Sequence, residues 1–190
     1  MHTSAVLTVS ESKRLIAKGL IQSERMQRAL NKGMVAVASG TTDGYVIEEI
    51  TGEPFDKTRY VTGHTVPANF SGDNSVSYKE PDLVLRKGER VDMSVKDAVR
   101  EMGPGDVFVK GANALNYDLE QAGVLIGHPT GGTVGAVLGT VVARRIHLVQ
   151  PVGLEKSVPG DLHDAAALLA EREGRGPTLW VTPGEIFTEI

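Results

Sequence analysis

The chain has 190 residues, of which 41% are hydrophobic and 23% are charged, and this composition is typical of one globular domain. Its formal net charge of −4 argues against nucleic-acid binding, which needs a surplus of Lys and Arg on one face. The absence of cysteine excludes disulfides and thiolate metal sites and fits a reducing compartment, so we expect a cytoplasmic protein. No signal peptide is predicted, and the longest apolar stretch, residues 134–143, is too short to span a bilayer, so no membrane association is expected.

The first part of the chain predicts two helices followed by a buried strand. Thr8 and Glu11 have the spacing of a capping box, which predicts a helix that runs to about residue 21. A second helix is expected over residues 24–31, with Gly33 placed to end it. Residues 34–38 are apolar without alternation, which is typical of a strand that is buried on both faces.

Strands and helices alternate along most of the remaining chain. Residues 55–93 differ, because short β-like pieces are separated there by Gly, Pro, Asn and Asp, and they predict a small irregular β insertion or flap. The other predicted strands are residues 106–109, 123–126, 146–149 and 178–181, and the other predicted helices are around residues 45–50, 94–103, 134–144, 161–173 and from 182 onward. This alternation predicts a single α/β domain over residues 1–190, Rossmann-like, with a mostly parallel sheet flanked by helices.

The turn after the first strand is a candidate anion site. Ser39, Gly40, Thr41 and Thr42 join residues 34–38 to a helix, where free N–H groups collect at the carboxyl end of a parallel sheet. The glycine lets the backbone form an anion-sized concavity, and the hydroxyl groups can donate to phosphate or carboxylate oxygens. The alternative interpretation is an ordinary helix cap, a role in which Ser and Thr are common.

A second candidate turn follows residues 123–126. Gly131, Gly132 and Thr133 are candidate ligand contacts, and His128 is a candidate acid/base group or phosphate donor. The alternative is that a single histidine in a turn has neither role. The recurrence of Gly131, Gly135 and Gly139 at four-residue intervals predicts a helix face that packs closely on the sheet.

The third candidate turn follows residues 106–109. Lys110 can pair with an anionic ligand, and Asn113 offers both a donor and an acceptor, so both are candidate site residues. The alternative is a solvated lysine and a turn-forming asparagine. The case for one shared site depends on the carboxyl ends of strands 34–38, 106–109 and 123–126 lying side by side.

No familiar cofactor or metal signature occurs in the chain. The glycine fingerprint of dinucleotide-binding folds, the P-loop, the G-x-S-x-G elbow and the H-E-x-x-H motif are all absent. The five histidines lack the spacing of metal ligands. The sequence therefore predicts neither a cofactor nor a metal site.

About half of the chain resembles a known superfamily of sugar-phosphate enzymes. Residues 37–42, Val-Ala-Ser-Gly-Thr-Thr, are similar to the first strand and phosphate-binding turn of the superfamily that includes ribose-5-phosphate isomerase, glucosamine-6-phosphate deaminase and CoA transferases. Residues 107–114, then 123–127 with Thr133, then 147–151, resemble the succession found in its branch of initiation-factor regulatory subunits and sugar-phosphate isomerases. The resemblance implies an α/β fold with a site for a phosphorylated ligand.

The chain departs from this pattern at the positions that would carry chemistry. Asn113 occupies the place of a functional Asp of that branch, the cysteine of some of the isomerases is absent, and no glutamate nucleophile of the CoA-transferase type is visible. Three hypotheses therefore stay open: an enzyme that isomerises or cleaves a phosphorylated sugar, a non-catalytic sensor or regulatory protein, and a CoA-transferase-like subunit.

The first hypothesis assigns a role to each candidate residue. Gly40, Thr41 and Thr42 would hold the phosphate, Lys110 would pair with it and His128 would transfer protons. The expected partner is a small anionic metabolite, and the sequence leaves open whether the chain forms a homo-oligomer.

Overall fold

The computed structural model describes residues 5–61, 80–172 and 176–190. The helices in these ranges are α1 (Val9–Gln22), α2 (Glu24–Lys32), α3 (Thr41–Thr51), α4 (Val95–Glu101), α5 (Gly132–Ala143) and α6 (Leu162–Glu171). The strands are β1 (Met34–Val37), β2 (Leu83–Arg86), β3 (Glu89–Arg90), β4 (Val107–Val109), β5 (Ala114–Asn116), β6 (Gln121–Ile126), β7 (His147–Pro151), β8 (Thr178–Thr182) and β9 (Glu185–Phe187). Among the described residues, no helix has both the length and the apolar character needed to cross a bilayer.

Two sheets organise these strands. The main sheet has six strands in the order β3-β2-β1-β4-β7-β9, and its neighbours from β1 to β9 are parallel while β2 and β3 are antiparallel additions at one edge. The second sheet, β5-β6-β8, is antiparallel throughout. The predicted α/β class, with a mostly parallel sheet flanked by helices, is confirmed.

Strand β1 is buried along its whole length, as its uninterrupted apolar sequence predicts. Val35 and Val37 pack with Ala17 of α1 and Val46 of α3 on one side of the sheet. Ala36 belongs to a second cluster on the other side, which α4 and α5 cover. The main sheet is therefore the middle layer of three.

The predicted helix boundaries in the first part of the chain are confirmed. The Thr8 N–H donates to Glu11 Oε2 at 2.8 Å and the Glu11 N–H donates to Thr8 Oγ1 at 3.3 Å, which is the reciprocal pattern of a capping box. Gly33 is the C-cap of α2. These local signals succeed because each involves residues only a few positions apart.

Strand β6 does not lie beside β4, so the prediction that residues 123–126 join the parallel row is wrong. It pairs with β5 and β8 in the small antiparallel sheet, with Ala114 opposite Gly123. A parallel neighbour requires a crossover of a dozen or more residues, whereas only residues 117–120 separate β5 from β6. The short connection therefore favours a hairpin.

The helix predicted from residue 182 onward is also wrong. The chain forms β9 there, and Ile186 lies opposite Gln150 of β7 in the parallel register. Ile186 and Phe187 also pack against buried apolar clusters. Pairing with the open edge of β7 outweighs the local capping signal of residues 182–185, a signal that does not depend on tertiary contacts.

Helix α5 turns a different face to the sheet than its glycine spacing predicts. Gly135 and Gly139 are exposed, whereas the buried residues of α5 are valines and a leucine, namely Val134, Val137, Leu138 and Val141. The prediction that the glycine face packs on the sheet is therefore wrong, because burying the larger aliphatic side chains removes more apolar surface from water.

The stretch 55–93 contains regular structure where it is described. Strands β2 and β3 form a hairpin that extends the main sheet beyond β1. Lys87 and Gly88 make the two-residue turn with positive φ angles of 51° and 83°, a conformation that suits the twist of a hairpin. Residues 62–79, which the predicted flap also includes, lie outside the described residues.

Candidate functional site

The candidate site lies at the carboxyl ends of the parallel strands of the main sheet. The first turn of α3 follows β1, Lys110 follows β4, Lys156 follows β7, and Lys13 reaches the same place from α1. We call this group, consisting of residues 40–43 with Lys13, Lys110 and Lys156, the lysine rim. Its position agrees with the general location of ligands in parallel sheets, outside the carboxyl ends of the strands.

Helix α3 begins without a side-chain cap. Its N-cap is Gly40, and among the described residues no side chain caps the helix. The Thr41 hydroxyl instead accepts a hydrogen bond from Lys13 Nζ at 3.2 Å, and Thr42 is buried. The alternative that Thr41 or Thr42 merely caps this helix is therefore wrong. Its first-turn N–H groups keep the orientation that binds an anion.

Asp43, in the first turn of α3, is completely buried. Its Oδ2 accepts the Gly111 N–H at 3.1 Å, while Oδ1 is one of two buried side-chain polar atoms without a hydrogen-bond partner among the described residues. Most buried polar atoms in proteins are hydrogen-bonded, and an exception needs an explanation. A carboxyl group held by one oxygen only is unusual for a residue with a purely structural role.

Two glycines leave the space that the Asp43 carboxyl occupies. A Cβ atom on Gly40 would lie 2.3 Å from Asp43 Oδ2, and one on Gly111 would lie 3.4 Å from each carboxyl oxygen. The backbones of the β1–α3 turn and of the segment after β4 therefore approach the carboxyl group closely from two sides.

Two lysines tie the loops of the rim together through backbone carbonyls. Lys110 Nζ donates to the Ser39 carbonyl at 3.1 Å, so it bridges the ends of β4 and β1. Lys156 Nζ donates to the Ala112 carbonyl at 2.6 Å, so it bridges the loop after β7 and the segment after β4. Each ammonium group has further donors, because a lysine nitrogen carries three N–H bonds. Both lysines are half-buried.

Burial shifts the pKa values of two groups at the rim, and the neighbouring charges modify both shifts. Burial raises the pKa of the Asp43 carboxyl, against the opposing effects of Lys110, the Gly111 N–H and Lys156. Burial lowers the pKa of the Lys156 ammonium, and Lys13 and Lys110 lower it further, while Glu155 and Asp43 oppose this. Both shifts move the groups toward neutral pH, where acid–base groups are most effective.

The site residues predicted from the β6–α5 turn lie at a different position. Gly131 is the N-cap of α5 with a φ of 82°, followed by Gly132 and Thr133 in its first turn. His128 is exposed, and its Nδ1 lies 2.9 Å from Thr130 Oγ1 in the same turn. This turn belongs with the small sheet, and no hydrogen bond among the described residues joins it to the lysine rim.

Asn113 has a structural contact on the small sheet. Its Oδ1 accepts the Leu125 N–H at 3.0 Å, and its backbone N–H donates to the Gly123 carbonyl at 2.8 Å. The amide therefore fixes β6 next to the segment that follows β4. The predicted residues that the fold does bring together are Ser39, Gly40, Thr41, Thr42 and Lys110.

The sequence interpretation missed Lys13, Asp43 and Lys156. Asp43 is adjacent to the predicted turn, but an acidic residue in the first turn of a helix is usually an exposed partner of the helix dipole. Lys156 follows a predicted strand, so the rule that selected Lys110 applies equally to the loop after β7. Lys13 precedes the first strand, and no local signal places it at the rim.

The described part of the chain shows no centre that would bind a metal ion. Among the described residues, no three His, Asp or Glu side chains form a group that could hold a metal ion. The side chains that converge at the rim are mainly lysines and hydroxyls, which suit an anion.

Compared with protein-family models, with curated proteins and with solved structures, the chain matches none.

Proposed function

We propose that this protein binds a small anionic metabolite of the phosphorylated-sugar class at the lysine rim. The observation that carries the proposal is the uncapped first turn of α3 with Lys13, Lys110 and Lys156 around it. N–H groups at a helix N-terminus and ammonium groups are both donors that phosphate oxygens accept. The similarity of residues 37–42 to a phosphate-binding turn supports the same ligand class.

The first test is a thermal-shift comparison of sugar phosphates with the same sugars lacking phosphate. A ligand that binds only the folded protein stabilises it, by about 2.7 kcal/mol at a concentration of 100 times Kd. We expect the melting temperature to rise with the phosphorylated compounds only. Adding CoA esters to the same screen tests the CoA-transferase-like alternative, which predicts a larger rise with CoA than with sugar phosphates.

A matched pair of variants on α1 locates the binding. Lys13→Gln removes one positive charge from the rim, while Lys18→Gln removes one from an exposed position of the same helix. Loss of a charge-assisted hydrogen bond weakens binding by about tenfold or more. We expect this loss for Lys13→Gln alone, measured by titration calorimetry. Equal affinity of both variants, or a rise in melting temperature with unphosphorylated sugars, would contradict the proposal.

Turnover of the bound metabolite is the second candidate function. The observation that favours it over sensing is the pair of groups, Asp43 and Lys156, whose pKa values move toward neutrality within one rim. Incubating the protein with sugar phosphates in the cytoplasmic pH range and following their NMR spectra tests it. A new sugar-phosphate spectrum indicates isomerisation or cleavage, whereas tight binding without change indicates a sensor.

A further inference from the structure

Asp43 places a carboxyl group directly behind the proposed anion position. It is the third residue of α3, so its backbone lies in the same turn as the N–H groups that would hold the ligand. Its side chain is completely buried, between the backbones of Gly40 and Gly111. An ionised carboxylate there repels a bound anion strongly, because buried charges are poorly screened by water and salt.

The hydrogen bonding of Asp43 is compatible with a bound proton. Oδ2 accepts the Gly111 N–H, as either protonation state can do. Oδ1 has no hydrogen-bond partner among the described residues. A proton on this oxygen would therefore not displace a hydrogen bond that Oδ1 already accepts. The burial that raises the pKa of the carboxyl acts in the same direction.

We propose that anion binding at the lysine rim is coupled to the uptake of one proton by Asp43, so that the rim binds its ligand more tightly as the pH falls. This inference rests on the proposed function. Protonation removes the negative charge of Asp43 and leaves the three lysines to attract the anion. The bound anion in turn favours the protonated carboxyl, because linkage between two binding equilibria is reciprocal.

The groups that face Asp43 from its neighbours determine which controls are needed. Lys110 and Lys156 act on its charge from the loops after β4 and β7. Tyr60, whose pKa burial raises, packs on the α3 side of the sheet and donates its hydroxyl to the Val37 carbonyl at the end of β1. Lys13 and Glu155 act on Lys156 in turn. Lys156 needs a control, because loss of its proton at rising pH would also weaken anion binding.

The direction of the pH dependence follows from the two pKa values of Asp43. Ligand binding raises the pKa, so between the value of the free protein and that of the complex each bound anion brings up to one proton. In that window the affinity falls by up to about tenfold per pH unit as the pH rises. Below the window and above it, the contribution of Asp43 to the slope is zero.

The experiment uses inorganic sulfate as the probe, because a phosphomonoester has its own second pKa of about 6 and would add a slope. Sulfate affinity is measured by NMR titration of the Gly40 and Gly111 amide signals from about pH 5 to about pH 9. The variants are Asp43→Asn and Asp97→Asn, because Asp97 is the third residue of α4 but is exposed. Lys156→Gln is measured in the same way to isolate the lysine contribution.

We expect the affinity of the wild type and of Asp97→Asn to fall as the pH rises. Lys156→Gln should retain the contribution of Asp43 to the pH dependence of sulfate affinity, and Asp43→Asn should lose that contribution. At the highest pH, Asp43→Asn should bind sulfate about tenfold more tightly than the wild type. An unchanged slope in Asp43→Asn would overturn the inference and assign the pH dependence to other groups. Sulfate binding that is independent of pH in the wild type would overturn it too, while leaving the proposed function intact.

A second measurement needs no variant. The carboxyl carbon signal of Asp43 in the ¹³C-labelled wild type reports its pKa directly, and we expect saturating sulfate to raise that pKa. An equal pKa with and without sulfate would overturn the coupling even if Asp43→Asn failed to fold. Failure of sulfate and of every sugar phosphate to bind the wild type would contradict the proposed function, and the inference with it.

Discussion

The role of Gly40 is steric: its lack of a side chain leaves space for the Asp43 carboxyl group. Its φ of 178° is extended backbone that any residue adopts, so the position does not require glycine for its conformation. What requires it is Asp43 Oδ2, which lies 2.3 Å from the position that a Cβ atom would take. The small side chain at residue 40 and the buried carboxyl at residue 43 are therefore two parts of one arrangement.

Replacing Gly40 with alanine should disturb both stability and binding. The added methyl group must displace a carboxyl that is buried and held by the Gly111 N–H, and overpacking of this kind costs roughly 1–3 kcal/mol. The control is Gly103→Ala, because no atom lies within 4 Å of a Cβ at that position. Urea unfolding of both variants measures the effect, and equal midpoints would contradict this steric interpretation.

In α5, the spacing of the glycines and the tertiary packing select different faces of the helix. The glycines recur every four residues, but the helix buries the neighbouring face that carries Val134, Val137 and Val141. Only Gly135 of the two exposed glycines has a close neighbour: a Cβ there would lie 2.3 Å from the Thr130 carbonyl oxygen, whereas Gly139 has open space around it. The glycine at residue 135 thus allows the β6–α5 turn to fold back on its helix.

Alanine at these two positions should change stability in opposite directions. Gly139→Ala should stabilise the protein by roughly 0.5–1 kcal/mol, because alanine loses less conformational entropy than glycine in a helix. Gly135→Ala has the same favourable effect on the conformational entropy of the helix, but its methyl group must displace the Thr130 carbonyl. We therefore expect this variant to be less stable than the wild type. Thermal or urea unfolding of the two variants checks this, and stabilisation by both would show that the turn adjusts freely.

The sequence is sufficient to predict most of the longer strands, but it does not predict which strands pair with each other. Strands β1 and β4 are buried by helices and neighbours and carry uninterrupted apolar runs. Strand β7 is buried after its first residue and has the apolar pair Leu148 and Val149 at its centre, so local patterns reveal all three strands. The predicted strands at residues 123–126 and 178–181 are confirmed as β6 and β8, but their antiparallel pairing is not predicted. That pairing, and the formation of β9 instead of a helix, depend on connections and open edges elsewhere in the fold. A pattern within one segment does not contain this information.

The candidate site divides in the same way. The turn 39–42 and Lys110 follow strands that could be predicted, so their meeting at one edge could be predicted as well. Asp43 and Lys156 acquire their burial and charge neighbours only when three loops come together. The prediction that His128 and Gly131 lie at this edge depends on residues 123–126 lying beside β4, and the hairpin of β5 and β6 places these residues in the small sheet instead.

The resistance of the whole molecule to acid should depend on Glu48, which links α3 to its surroundings. Glu48 pairs with Arg14 of α1 and with Lys57, and it accepts the Phe55 N–H at 2.9 Å. Burial alone would raise the pKa of this carboxyl, but the hydrogen bonds from Lys57, Phe55 and Arg14 outweigh it and hold the pKa at about 2, below the ordinary value of 4.5. Folding therefore favours the ionised form of Glu48.

Glu48→Gln should accordingly destabilise the protein at neutral pH and much less in acid. A carboxyl whose pKa is lower in the folded state contributes stability above its unfolded pKa and loses that stability as the pH falls through the folded pKa. We expect a loss of roughly 1–3 kcal/mol at neutral pH, of which more than half disappears by about pH 3. Urea unfolding at the two pH values measures it, with Glu53→Gln at an exposed position after α3 as the control. A difference between Glu48→Gln and the wild type that stays constant with pH would show that the ion pairs do not depress the pKa of Glu48.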